Sequence, residues 1–117
     1  MTSDKLFAPL MEDKWPGELD DMKSTFADKL NIYRTMAHHP SLLRAWANLR
    51  EHIVINSTLK QQQSEVVILR TGNNLQVDYE WYHHVSRARA CGVSDDRINS
   101  IRLATKNMNI EDAIFAN

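Results

Sequence analysis

Apolar residues recur along most of this chain at helical spacing, and they predict a succession of short helices. The start is the exception. Met1 to Gly17 holds Pro9 and Pro16 without a sustained period, which predicts an extended arm with a short turn. Within it, Phe7, Leu10 and Trp15 are the residues expected to lie across another element. From about Leu30, "LNIYRTMAHHP" predicts a short helix stopped near His39, because the residue before Pro40 is pushed out of helical geometry. His38 and His39, at that end, are expected to meet the last carbonyls. In "SLLRAWANLREHIVI", Leu42, Trp46, Leu49 and Ile53 fall at helical spacing, and Ser41 is the expected N-cap.

The next segment, "STLKQQQSEVVILRTGNN", opens on a candidate capping box from Thr58 to Gln61. Gly72, Asn73 and Asn74 offer its left-handed stop. "VDYEWYHHVSRARACG", residues 77–92, reads as a further amphipathic helix ending at Gly92. Ser94 then restarts a helix as N-cap, with Asp95 and Asp96 in the first turn, where acid complements the helix dipole. Ile98, Ile101 and Thr105 make its buried stripe, and "NIEDAIFAN" predicts a short terminal helix. The expected class is all-α, a single helical domain over residues 1–117 with residues 1–17 as its arm.

Val66, Val67, Ile68 and Leu69 run consecutively, so their helix is apolar almost all round and needs cover on several sides. Short helices supply that cover incompletely within one subunit, which predicts a homo-oligomer. Composition then removes several partners. With 117 residues, 43% hydrophobic and 25% charged, the chain reads as one soluble globular domain. Net charge is −1 with the signs mixed, and the lack of a basic tract excludes nucleic acid as the main partner. No apolar run approaches the roughly 20 residues of a membrane span, so no membrane partner is expected. The opening "MTSDKLFAPLMEDKW" lacks the basic and apolar regions of a signal peptide. One cysteine cannot make an internal disulfide, which fits a reducing cytoplasm. Three glycines and three prolines leave little room for a turn-rich β architecture.

One face could do chemistry. Val77, Glu80, His84, Ala88 and Cys91 share it through steps of three and four residues. Glu65 lies on the preceding helix on the same side as Gly72, and antiparallel packing would bring it towards Glu80 and His84. Two carboxylates and an imidazole in apolar surroundings are what acid/base work near neutral pH requires. The other reading of an i, i+4 Glu–His pair is a surface contact of about 0.2–0.5 kcal/mol. Trp81 and Tyr82 either pack or line a pocket beside the pair, and Arg87 and Arg89 either face solvent or hold a substrate carboxylate. A zinc site from Glu80, His83 or His84 needs three or four convergent ligands that no spacing here secures. No metal and no cofactor are expected.

"SEVVILRTGNNLQVDYEWYHHVSRARACGVSDDRI" resembles the carboxymuconolactone decarboxylase family, which includes the alkyl hydroperoxidase D type proteins. The pieces "YEW..H", "A...GVSDD.I" and "STL" carry the likeness, as does the upstream "NIYRTMAHHPSLLRAW". The likeness extends over roughly residues 6–105. It implies an all-helical fold assembled as trimers or hexamers, with the active site near the subunit interface and a small-molecule substrate. The family's redox branch carries E-x11-C-x2-C-x3-H, two thiols with a Glu–His proton relay. On this sequence Glu65 takes the glutamate position and His84 the histidine, while the cysteine positions fall on Val77 and Glu80.

Neither Val77 nor Glu80 forms a thiolate, so the resemblance implies acid/base, lyase-type chemistry on a small carboxylate or lactone. Glu65, Glu80 and His84 are its catalytic candidates, and Val77, Trp81 and Arg87 line the expected pocket. Cys91 is the candidate for redox work. It lies seven helical residues from His84, a rise of about 10.5 Å. The alternatives are a hydroperoxidase using Cys91 alone with an external thiol, and a non-catalytic oligomeric remnant of the family. Members of this branch usually continue several dozen residues past "MNIEDAIFAN", so a naturally short chain or a truncated product is expected.

Overall fold

A computed structural model of the chain describes residues 6–116. Their regular elements are all helical, with no strand among the described residues, as the all-α reading expects. Contacts divide the chain into two compact units, Met1–Asn56 and Ser57–Asn117.

The first unit has few long helices and a core built around aromatic rings. Its elements are the 3-10 turns Glu12–Lys14 and Gly17–Met22, then helices α1 (Asn31–Met36) and α2 (Pro40–Arg50). A π-helical turn, Glu51–Ile55, continues α2. Trp15, Leu19, Met22, Ala27, Tyr33, Ala37 and Leu43 form the core, with Leu10 and Trp46 packed on its edge. Trp15 also donates its indole N–H to the Leu10 carbonyl at 2.9 Å, so the ring is buried with its polar atom satisfied. Leu10 and Trp15 thus pack as expected of the arm, whereas Phe7 stays exposed, edge-on to the His38 ring. Residues Met1–Lys5 of the expected arm lie outside the described residues.

Two expectations for α2 are corrected. Pro40, with its φ preset, occupies the first helical turn, so the cap falls on the residue before it. His39 Nδ1 accepts from the Leu42 N–H at 3.2 Å, and Ser41 lies inside the helix. His39 therefore starts α2 rather than closing α1, while His38 Nε2 meets the Ala8 carbonyl at 2.7 Å. The stripe Leu42, Leu49 and Ile53 is exposed, and the buried side of the helix is the one that carries Leu43.

The second unit is more regular: α3 (Gln61–Asn74), α4 (Asp78–Ala90), α5 (Asp95–Ser100), a 3-10 turn Thr105–Asn107 and α6 (Ile110–Phe115). Val66, Leu69, Ala88, Val93, Ile98, Ile101 and Met108 are its core. Val66 and Leu69 are fully buried and Val67 and Ile68 half-buried, so the apolar run is largely covered within the unit. Arg70 ties the stretch after α5 to α3, donating to the Ile101 and Leu103 carbonyls at 2.6 and 2.8 Å. Ser94 caps α5 as expected, its hydroxyl accepting from the Arg97 N–H.

α3 starts later than the Thr58–Gln61 box. Ser57 Oγ takes up the Leu59 N–H in a local turn, and the side chain of Gln63 accepts from the Lys60 N–H at 3.0 Å to open the helix. The helix also runs through Gly72–Asn74 instead of stopping there, and the left-handed residue is Gln76, with φ of 55°. Val77 N–H returns to the Gly72 carbonyl and Gln76 N–H to the Asn73 carbonyl, the paired bonds of a Schellman stop. The same motif ends α4 at Gly92, with φ of 93°, through Val93 to Ala88 and Gly92 to Arg89. There the expected glycine is in place.

Candidate functional site

α3 and α4 form an antiparallel hairpin, and Gly72 lies where the two helices pack closely. A Cβ built on Gly72 would sit 3.4 Å from Glu80 Cβ and 3.7 Å from the Trp81 backbone nitrogen. With that contact made, Glu65 stands opposite His84, two helical turns back along α3.

The three groups meet. His84 Nδ1 lies 2.7 Å from Glu65 Oε2, and its Nε2 lies 3.4 Å from Glu80 Oε2. Glu65 and His84 are buried, 6% and 8% exposed, while the side chain of Glu80 keeps 34% of its surface. A carboxylate only accepts hydrogen bonds, so Glu65 holds the ring proton on Nδ1 and orients the ring. Nε2 is left as the nitrogen that gives or takes a proton, on the side where Glu80 reaches solvent. The inner carboxylate fixes the ring and the outer one stands at the exchange face.

Around this site the expected residues separate. Val77 and Trp81 line a cavity of about 510 Å³ together with Gly72, Asp78 and Arg102. Arg87 is half-buried and is not among the residues lining that cavity. Arg89 is paired with Asp95 at 2.7 Å. His83 is stacked edge-on between Tyr79 and Tyr82, with ring centroids 4.5 and 5.3 Å away. Among the described residues, no group of three or more His, Cys, Asp or Glu is placed to hold a metal ion. Cys91 is half-buried, its thiol donates to the Ala88 carbonyl of its own helix at 3.3 Å, and it lines a different cavity, beside Gln62, Arg97 and Phe115.

A model described as the carboxymuconolactone decarboxylase family matches residues 40–108, more than half of the chain. The chain belongs to the carboxymuconolactone decarboxylase family. The match spans the whole α3–α4 hairpin, and therefore Glu65, Glu80 and His84. No curated protein and no solved structure matches the chain. As a carboxymuconolactone decarboxylase family chain it has Val77 at the α4 N-cap and Glu80 in the first turn, the two positions expected of thiols in the redox branch.

Arg102 is the site-adjacent residue that the sequence reading missed. Its guanidinium carbon lies 4.0 Å from the Trp81 ring centroid. The two are far apart in the chain, and the stretch around Arg102 carries no motif that marks it.

Proposed function

We propose that the chain is a lyase-type acid/base member of its family, acting on a small carboxylated or lactone-like molecule. One observation carries this reading: an imidazole held between two carboxylates, with Nδ1 committed to the buried Glu65 and Nε2 facing the half-exposed Glu80. Loss of carbon dioxide breaks a carbon–carbon bond and leaves its electron pair on a carbon conjugated with the lactone carbonyl. His84, protonated on both nitrogens, gives the Nε2 proton to that carbon, and Glu80 returns a proton from solvent to Nε2. Glu65 is the positioning residue that keeps the ring turned to this task. The exposed apolar residues Leu42, Leu49 and Ile53 support a homo-oligomer, whose size sedimentation would measure.

The test is turnover of a carboxylated unsaturated lactone, followed by carbon dioxide release. His84→Ala is expected to lower the rate by about 10²–10⁴-fold, the usual contribution of general acid/base catalysis. Its helical circular dichroism and its oligomer size should stay unchanged. Activity that survives the substitution would remove His84 from the reaction.

A further inference from the structure

Arg102 differs from Arg70, Arg89 and Arg97 in what holds its guanidinium. Arg70 is spent on two backbone carbonyls, Arg89 on Asp95, and Arg97 on Asp112 and Gln62. The Arg102 guanidinium has only the Trp81 ring: among the described residues it has no carboxylate or carbonyl partner. Stacking on an indole holds the guanidinium plane and leaves its edge donors unused, the arrangement that suits two-pronged recognition of a planar anion. Both residues line the cavity of about 510 Å³ at the α3–α4 turn. Val77 and Asp78 line it too, at the start of α4, where no side chain caps the helix and its dipole favours negative charge. Gly72, in the same wall, is the residue packed against Glu80.

We propose that this cavity binds the carboxylate of a small organic acid, with Arg102 as the anchoring residue and Trp81 as the platform that keeps it in place. Asp78 sets the charge that is accepted. Its carboxylate repels a second negative charge, so a monoanionic carboxylate is favoured over phosphate. The inference deepens the proposed function, because the platform under its anchor, Trp81, follows Glu80 directly on α4, and it rests on that reading only for the purpose of the binding.

Butyrate is the probe, with butyramide as its neutral isostere and inorganic phosphate as the competing anion. The readout is the Trp81 indole resonance in ¹H–¹⁵N spectra of the full chain, assigned by its disappearance in Trp81→Phe. Butyrate should shift it saturably. Arg102→Gln should bind about tenfold more weakly, and Arg102→Lys should fall between, having charge without the planar fork. Arg102 is exposed, so both variants should keep the native helical signal. His84→Asn should bind butyrate as the parent does. That separates the two readings: a chain that binds through Arg102 but does not depend on His84 for turnover loses the proposed reaction and keeps the subsite. The subsite would be overturned by no saturable shift, an equal shift by butyramide, undiminished binding in Arg102→Gln, or tighter binding of phosphate. Loss of butyrate binding in His84→Asn would also do so, by moving the anion to the histidine.

Discussion

The second unit buries two carboxylates, and they are held in opposite ways. Asp112 is 2% exposed and gives both oxygens to one guanidinium, Arg97 Nε at 3.1 Å and Nη2 at 2.8 Å. Glu65 is 6% exposed and gives one oxygen to an imidazole whose other nitrogen faces Glu80. The first pair is closed. Asp112 holds the Arg97 proton affinity above its ordinary value, so Arg97's share of stability is present below that value and lost only in strong alkali. The second arrangement is open: its imidazole has a second ring nitrogen, and that nitrogen faces a carboxylate that reaches solvent. A buried carboxylate by itself therefore says little about function, and the chemistry of its partner says more.

Breaking the closed pair should have the largest effect on stability. Asp112→Ala strands Arg97, whose side chain is 26% exposed, and should cost about 2–3 kcal/mol in urea unfolding. A loss near zero would show that the pair is not structural. Arg97→Met combined with Asp112→Leu should regain most of that loss, since apolar packing replaces such pairs well. No apolar replacement of Glu65 and His84 should do the same for turnover. Glu65→Gln is the matching cut at the open site. It should cost only about 1 kcal/mol, but the Nδ1 proton loses its carboxylate partner, so the His84 ¹⁵N shifts should change and the rate should fall. Unchanged shifts would mean that Glu65 does not orient the ring.

The hairpin turn gives a gentler probe. Gln76→Gly removes a left-handed strain and should stabilise by about 0.5–1 kcal/mol, with the His84 spectrum unchanged. The smallest effect is expected from a third carboxylate, in the first unit. Asp28 accepts the Ser24 N–H, and chiefly for that reason its proton affinity lies below the ordinary carboxylate value. A lowered value stabilises above the unfolded pKa, about 3.9, and that contribution is lost as pH falls through the folded one. Emission from the buried Trp15 should thus report loosening below about pH 4, and Asp28→Asn should flatten that limb.

What was readable in the chain depended on how local its cause was. Ser94 and Gly92 each act through bonds to residues within four positions, and both stand where their residue types point. Helical period plus an antiparallel turn brought Glu65 towards His84, but only the structure fixes the register that sets the two 2.7 Å apart. Ser41 and Gly72 misled because a neighbour took the role. Proline at the first turn shifted the cap to His39, and α3 ran on through Gly72 to Asn74, so the left-handed position fell on Gln76. The Leu42–Leu49–Ile53 stripe reads as core by period alone, because spacing identifies an apolar face without saying what covers it. Arg102 over Trp81 depends on how α5 and the stretch after it return across the hairpin, a tertiary matter with no local signature.

The α3–α4 hairpin also sets when the site comes into being. Glu65 and His84 are 19 residues apart in the chain, and Glu80 lies between them. Closing so short a loop costs little chain entropy, and contacts of this range form early relative to those that link distant segments. The three side chains are therefore brought together at the low entropic cost of one short hairpin. The site is thus a property of one hairpin, with Glu65 from α3 and Glu80 and His84 from α4, and its short loop favours contacts that form early.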